Sequence, residues 1–137
     1  MMNESTRIRA FLIFCSVGLV PIALGYGAAP SVTLDALFGI TVDTTNLTHI
    51  MRAVMGLYFG MVAFWVVGAF KRSMAGPALA TCAVFMLGLA AGRILSLIVD
   101  GWPHWLLVVY AVLEIVLGLI AVALFRGLSA GGAPAPR

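Results

Sequence analysis

Three ionisable side chains, Arg52, Arg93 and Glu114, lie inside apolar stretches that are each long enough to cross a lipid bilayer. Placing one charge at the centre of a membrane helix costs roughly 2.5–3.5 kcal/mol, so such residues usually face each other or a polar cavity. Two cations and one anion on three different stretches therefore predict one shared site. Such a cluster could form ion pairs, anchor a polar or anionic head group, or carry a proton on Glu114.

The composition places the chain among multi-span membrane proteins. Of its 137 residues, 63% are hydrophobic and 9% are charged, with a mean hydropathy of +1.13. A soluble domain carries about 25% charged residues, which this chain lacks. The net charge is +3, and the basic residues at the helix ends indicate topology and not a nucleic-acid surface. Cys15 and Cys82 lack CxxC spacing and are predicted to be buried, inert thiols.

Four apolar segments are long enough to be transmembrane helices, at about 20 residues per span. They cover about residues 9–26, 47–70, 77–99 and 105–125. The second and third connections are so short that they must be hairpins between antiparallel neighbours. The sequence therefore predicts an all-α, four-helix antiparallel bundle as a single domain over residues 1–126, followed by a flexible tail over 127–137 that is rich in Gly, Ala and Pro.

The basic residues predict the orientation of the bundle. Cytoplasmic connections are enriched in Lys and Arg. Basic residues stand before the first span, between the second and third, and after the fourth: Arg7, Arg9, Lys71, Arg72 and Arg126. The other two connections contain no Lys or Arg and carry three acids: Asp35, Asp43 and Asp100. Both termini are therefore predicted to lie in the cytoplasm.

A secretory signal peptide is the alternative interpretation of the first span, because Arg7 and Arg9 precede an apolar core. Pro30 follows the only suitable small-residue cleavage point and would hinder cleavage. Loss of this span would also conflict with the orientation that the basic hairpin at 71–72 indicates.

The outer connection over residues 27–46 is the longest. Ser31 after Pro30 can begin a short helix with an apolar side, which favours an interfacial helix on the outer leaflet or over the mouth of the bundle. The run from Asp43 to Asn46 then offers a cap for the second span.

The three charged side chains are predicted to lie in one layer. At 1.5 Å per residue, Arg52 and Arg93 lie about 9 and about 10 Å below the outer surface, and Glu114 about 14 Å below it. Two GxxxG pairs accompany the arginines, Gly56 with Gly60 and Gly88 with Gly92, and they favour interior faces. Further polar side chains are expected at the same mouth: His49, Asp100, His104 and Tyr110.

Two interpretations of this cluster remain open. In the structural one, Arg52, Arg93 and Glu114 form a buried ion-pair network that fixes helix register. In the functional one, they line an outward-facing pocket for an anionic or polar head group. A metal or redox role for His49 and His104 is less favoured, since no carboxylate or thiol stands at ligand spacing. No pattern of nucleophile and base predicts a catalytic residue.

At these residues the chain also resembles a known family. The runs NLTHIMRAVMGLYFGM, AGRILSLIVDG and YAVLEIVLG are similar to domain of unknown function 4345, a family of small bacterial four-helix membrane proteins. The resemblance extends from about Val17 to Ala123 and includes the GYGAAP run after the first span. It implies a bacterial inner-membrane protein and no particular activity.

The leading hypothesis is a non-enzymatic accessory subunit, or a binder of a lipid or other small amphiphile, without cofactor or metal. The competing class is a membrane enzyme or proton-coupled small-molecule carrier that uses Glu114 with Arg52 and Arg93. Expected partners are membrane lipids and, through the GxxxG faces, a second copy of the chain or a larger membrane complex.

Overall fold

The computed structural model describes residues 3–131, and all the regular structure in that range is helical. The five helices are α1 (Glu4–Gly27), α2 (Pro30–Phe38), α3 (Thr45–Phe70), α4 (Ala75–Val99) and α5 (Trp105–Gly131). A 3₁₀ turn, Arg72–Met74, joins α3 to α4. The helices α1, α3, α4 and α5 are long and apolar enough to cross a membrane. The prediction of an all-α protein with four membrane-spanning segments is confirmed at this level.

The helices extend beyond the predicted spans at the basic end of the bundle. The first begins at Glu4 instead of residue 9, and the last runs to Gly131 instead of residue 125. Residues 127–131 of the predicted tail are therefore helical, and residues 132–137 of that tail lie outside the described range. Hydropathy detects the membrane-embedded part of a helix, whereas backbone hydrogen bonding can continue into the polar layer.

Two antiparallel helix pairs make up the bundle. The most extensive packing is of α1 on α3 and of α4 on α5, and contacts between α3 and α4 join the pairs. The largest of the fully buried side chains lie at the centre: Leu12, Trp65, Leu79 and Cys82. Because α1 and α5 contact each other only slightly, a groove remains between them.

Glycines allow the closest helix approaches, but they are single glycines outside the two GxxxG pairs. A Cβ on Gly27 of α1 would overlap the Met55 side chain of α3, and one on Gly68 of α3 would overlap the Cβ of Ala78 on α4. On α5, a Cβ at Gly118 would lie 2.6 Å from the Leu87 side chain. Small residues at these points let the backbones approach, which is how packing is achieved where lipid is as apolar as the core.

The two GxxxG pairs lie on the surface of the bundle, so the prediction that they face its interior is wrong. The four glycines are exposed, and a Cβ added at any of them would meet no atom within 4 Å. These glycines are Gly56, Gly60, Gly88 and Gly92. Glycine spacing alone does not distinguish a face that packs within one chain from a face that is left free.

The short helix α2 forms where the sequence predicts it and is tied to the end of α1. The Thr33 hydroxyl donates to the Gly25 carbonyl at 2.6 Å, and Leu34 is buried. Gly39 ends α2 in the left-handed conformation with φ 67°, where its N–H donates to the Asp35 carbonyl at 2.8 Å. Glycine adopts this conformation without a steric penalty. The location of α2 at the membrane surface stays a prediction.

The two cysteines are free, buried and adjacent, one on α1 and one on α4. Cys15 is 2% exposed, Cys82 is 0% exposed, and the thiol of each lies beside the other. We expect neither to react with a water-soluble maleimide in the folded protein, because reaction needs an accessible thiolate. Mass spectrometry after labelling should find both modified only when the protein is unfolded in SDS. A Ser73→Cys variant, placed on the exposed turn before α4, serves as the positive control. Labelling of native Cys15 or Cys82 at the rate of that control would contradict the described packing.

Candidate functional site

An ion pair between α4 and α5 forms the centre of the site. The Nε–H of Arg93 donates to both carboxylate oxygens of Glu114, at 2.8 Å and 3.0 Å. The side chain of Arg93 is 20% exposed and that of Glu114 is 10% exposed. A charge-assisted contact of this length is strong, and in a hydrocarbon layer it neutralises two charges that would otherwise be costly.

The pair does not use all the hydrogen-bonding capacity of the guanidinium group. Arg93 makes both of its side-chain hydrogen bonds through Nε. Its two terminal amino groups carry four further N–H donors in a planar arrangement. The Tyr26 side chain of α1 lies close enough to interact with the guanidinium group, and its single hydroxyl can occupy only part of this capacity. Glu114 therefore leaves N–H donors of Arg93 unused.

Aromatic side chains surround the ion pair. The Arg93 guanidinium carbon lies 5.7 Å from the centre of the Tyr110 ring, within cation–π range. Tyr26 of α1 and Tyr58 of α3 pack edge to face with their ring centres 5.8 Å apart. Tyr58 in turn packs against Phe85 at 5.1 Å, which connects this layer to the buried core. The aromatic contacts hold the ion pair in one orientation.

An apolar groove extends from the ion pair toward the middle of the bundle, with a cavity volume of about 140 Å³. One wall is α1 from Phe14 to Ile22, the other is α5 from Tyr110 to Leu117, and side chains of α4 and α3 form the floor. The eight-residue interval on α1 makes the groove roughly 12 Å long. A cavity of about 150 Å³ holds a molecule of the size of benzene, so this groove can take part of a hydrocarbon chain. Its polar lining consists chiefly of Arg93, Glu114 and the two tyrosines Tyr58 and Tyr110.

The helix α2 lies over the end of the groove nearest the ion pair. Leu34 and Phe38 of α2 pack around Tyr26 and Tyr110, leaving a space of only about 10 Å³ between them. Side chains of α2 therefore cover this end, and the groove has an opening along its side, between α1 and α5. This opening lies between two helices that are each long and apolar enough to cross a membrane.

The structure does not bring Arg52 to the ion pair. Arg52 and His49 are exposed on α3, on the same face as Gly56 and Gly60, and neither makes a side-chain hydrogen bond or ion pair within the described part of the chain. The predicted cluster of two arginines and one glutamate is therefore replaced by a neutral pair. The Arg93–Glu114 pair carries no net charge, and Arg52 adds no positive charge to the groove.

Asp100 and His104 lie near the site but have local partners. Ser96 donates to the Asp100 carboxylate at 2.7 Å, so this acid stays on its own helix end. His104 packs edge to face on Phe38 at 5.8 Å and lies 5.6 Å from Trp105. Of the residues that the sequence singled out, the structure thus joins Arg93, Glu114 and Tyr110. Within residues 3–131, no three His, Cys, Asp or Glu side chains come together as metal ligands.

Sequence reasoning did not identify the groove or several of the side chains from α1, α3 and α4 that complete the site. Tyr26, Tyr58, Cys15 and Met86 belong to it or border it. A signal was present for the tyrosines, since each places a hydroxyl within or at the end of an apolar span and a buried hydroxyl needs a partner. For Cys15 and Met86 no pattern distinguishes a groove wall from a core position.

The comparisons with known proteins decide the family. Residues 8–125 match the family described as DUF4345, a domain of unknown function. The chain belongs to this family. The matched range runs from the first turns of α1 to the last turns of α5, so it includes all the elements of the groove and the ion pair. No curated protein and no solved structure matches the chain.

Membership of this family confirms the resemblance inferred from the sequence runs around Arg52, Arg93 and Glu114. The match also extends the family resemblance from about Val17 back to residue 8, so it includes the first half of the span that contributes one wall of the groove. It brings no activity with it, so the function must be argued from the site itself.

Proposed function

We propose that this member of the DUF4345 family is a non-enzymatic membrane protein that binds a lipid or another small amphiphile. The apolar chain of the ligand lies in the groove between α1 and α5, and its head contacts Arg93 and Glu114. One observation carries this proposal: a polar pair with unused N–H donors stands at one end of an otherwise apolar groove. This combination of a few placed polar groups and apolar walls is typical of ligand pockets.

The charge of the pair favours a ligand head that is uncharged and accepts hydrogen bonds. Arg93 and Glu114 together carry no net charge, and an anionic head would leave one negative charge in a layer of low dielectric. A hydroxyl, ester or carbonyl oxygen can accept from the free amino groups of Arg93 without this penalty. Long-chain alcohols and esters are therefore the ligand class that the site favours.

The proposal includes the location of the protein in the bacterial inner membrane, with both termini in the cytoplasm. The distribution of charge supports this orientation, since the basic residues stand at the two termini and at the α3–α4 turn. The exposed GxxxG faces of α3 and α4 support a role as a subunit of a homo-oligomer or a larger membrane complex. The competing proposal of an enzyme or proton-coupled carrier depends on Arg52, which is outside the groove.

A variant that fills the groove tests the proposal. A Cβ added at Gly18 would meet no atom within 4 Å, and Gly18 lines the groove, so Gly18→Leu should occupy the space without disturbing the helix packing. Native mass spectrometry of the full-length protein in a neutral detergent would measure retention of dodecanol, dodecyl phosphate and dodecyltrimethylammonium. We expect dodecanol to be retained most by the wild-type protein and to be lost by Gly18→Leu.

The matched control is Gly88→Leu, since Gly88 is equally unobstructed and lies outside the groove. It should retain dodecanol as the wild-type protein does. Equal retention by Gly18→Leu and Gly88→Leu would show that the amphiphile binds elsewhere and would overturn the proposal. Preferential retention of dodecyl phosphate would leave the groove as the proposed binding site but would refute the proposal that the ligand head is uncharged.

A further inference from the structure

A second cavity lies at the opposite end of the bundle from the ion pair, between the start of α1, the end of α3 and the 3₁₀ turn before α4. Its volume is about 290 Å³. Arg9 and Arg72 line it together with hydroxyl side chains of the first turn of α1, Ser5 and Thr6. Apolar side chains, including Phe70, contribute much of the remaining lining. This cavity is separate from the groove, with which it shares no lining residue.

The positive charge of this cavity is not fully compensated by the protein. Arg9 stands over the Phe70 ring, with its guanidinium carbon 4.5 Å from the ring centre, and this contact holds the side chain in place. Within residues 3–131, neither Arg9 nor Arg72 forms an ion pair. The one acid among the lining residues, Glu4, has a carboxylate oxygen beside Gly127 of α5. Two guanidinium groups therefore remain available at one cavity.

Other basic side chains increase the positive potential at this end of the bundle. Arg7, Lys71 and Arg126 are exposed near the same helix ends. The described residues at this end therefore include five basic side chains and a single acidic side chain, that of Glu4. Such clusters next to membrane helices attract anionic lipids.

The depth of this cavity in the membrane indicates which class of ligand can reach it. It is formed where α1 begins and α3 ends, and the ends of spanning helices lie in the layer of the lipid head groups. Phe70 is 63% exposed, which places an apolar ring where the first part of an acyl chain would pass. A planar guanidinium group binds a phosphate with two parallel hydrogen bonds, and two such groups can hold one phosphate from both sides. The cavity would lie at head-group depth on either face of the membrane.

We infer that the cavity lined by Arg9 and Arg72 binds the phosphate group of an anionic phospholipid. The two guanidinium groups hold the phosphate, the hydroxyls of Ser5 and Thr6 are placed to donate to its remaining oxygens, and the acyl chains descend past Phe70. The site is independent of the amphiphile groove, and it gives the bundle a fixed lipid at the end away from the Arg93–Glu114 pair.

The experiment uses the full-length protein in a neutral detergent with phosphatidylglycerol and phosphatidylcholine of identical chains. Native mass spectrometry should find phosphatidylglycerol retained preferentially by the wild-type protein. Arg9→Gln, Arg72→Gln and the double variant Arg9→Gln/Arg72→Gln should each lower its apparent affinity at least tenfold, since each removes charge-assisted hydrogen bonds. The double variant Lys71→Gln/Arg126→Gln is the matched control, because it removes the same charge as Arg9→Gln/Arg72→Gln from the same end but outside the cavity.

Three results would overturn the inference. The first is an equal loss of lipid in the Lys71/Arg126 control, which would mean that diffuse charge suffices. The second is equal retention of phosphatidylcholine, or an equal effect of inorganic phosphate on the melting temperature, which would mean that no anionic lipid is selected. The third is tight binding of an acidic peptide that Arg9→Gln abolishes while lipid retention is unchanged, which would assign the cavity to a protein partner.

Two further variants separate binding from folding and from the groove. Arg9→Lys keeps the charge and loses the planar fork, so it should fold and still bind phosphatidylglycerol more weakly than the wild-type protein. If Arg9→Gln fails to fold, this variant still decides the question, and an unchanged affinity would count against the two-guanidinium site. Gly18→Leu should retain phosphatidylglycerol fully, so loss of dodecanol binding and loss of phospholipid binding are distinguishable.

Discussion

Replacing Glu114 with Gln is expected to lower the free energy of unfolding of this protein by about 3 kcal/mol. The reason is the state in which the substitution leaves Arg93. Its guanidinium group cannot release a proton, so it would remain charged without a counter-ion beside an apolar groove. Glutamine keeps the volume and one hydrogen-bond acceptor, which confines the change to the charge. Unfolding of the full-length protein in mixed micelles of a neutral detergent and SDS measures the effect.

The partner substitutions give a characteristic order. Arg93→Met leaves a carboxyl group that can become neutral by taking up a proton, so it should cost less than Glu114→Gln. The double variant Arg93→Met/Glu114→Leu removes both charges and should be more stable than Glu114→Gln alone, because replacing a buried ion pair by apolar side chains is often neutral. Arg52→Met is the control, since Arg52 is exposed on α3 and should change the stability by less than about 0.5 kcal/mol.

This series also separates the two interpretations of the ion pair. A purely structural pair predicts large losses of stability in the single variants and no effect of the double variant on dodecanol retention. A pair that anchors a ligand predicts that the double variant folds and loses dodecanol. A destabilisation by Arg52→Met as large as that by Glu114→Gln would contradict the exposed position of Arg52 and favour the three-residue cluster that the sequence predicts.

The difference between Arg52 and Arg93 illustrates how far this sequence predicts its structure. Hydropathy locates the four spanning helices to within about six residues, because about 20 apolar residues in a row have few alternatives to a membrane helix. Helix rotation is harder to predict. A membrane helix is apolar on all sides, so the pattern that marks the inner face of a soluble helix is weak here. A charged residue then indicates a depth but not a face.

The ion pair is predictable in part, because the charged residues indicate which side chains lie at the same depth. Glu114 is the only acid inside a predicted span, so any intramembrane arginine that reached it would pair with it. Which arginine does so depends on how α3 and α4 rotate, and that is fixed by the packing of residues such as Tyr58 and Trp65, which the sequence does not rank above their apolar neighbours. The groove depends on the small contact between α1 and α5, which is a property of the whole bundle and has no local sequence pattern.

The glycines of α3 lead to a second prediction with a large expected effect: Gly68→Ala should destabilise the fold, whereas Gly60→Ala should not. A methyl group on Gly68 would overlap the Cβ of Ala78 and lie 3.2 Å from the Met74 carbonyl oxygen and 3.5 Å from Leu12. The first two neighbours are at or next to backbone, so α3 and α4 would have to separate. Overpacking of this kind costs about 1–3 kcal/mol, and Gly68→Leu should exceed that range.

Gly60 is the matched control because it is on the same helix and a Cβ there meets no atom within 4 Å. In Gly60→Ala the gain in helix propensity, about 1 kcal/mol, should prevail, so the two substitutions differ in sign. SDS titration of both variants, with the wild-type protein as reference, measures this difference. Equal effects at Gly60 and Gly68 would show that glycine acts on α3 only through helix propensity and that the described crossing is wrong.

A compensating substitution makes the test specific to the crossing of α3 and α4. If the methyl group that Gly68→Ala introduces competes with the methyl group of Ala78 for one space, then adding Ala78→Gly to that variant should recover most of the lost stability. The same Ala78→Gly change alone should destabilise α4 by about 1 kcal/mol. Such a reversal of sign requires contact between the two positions. Since Gly68 belongs to neither GxxxG pair, recovery would establish that this single glycine sets the approach of the two helix pairs, and the GxxxG faces would remain free for a second copy of the chain.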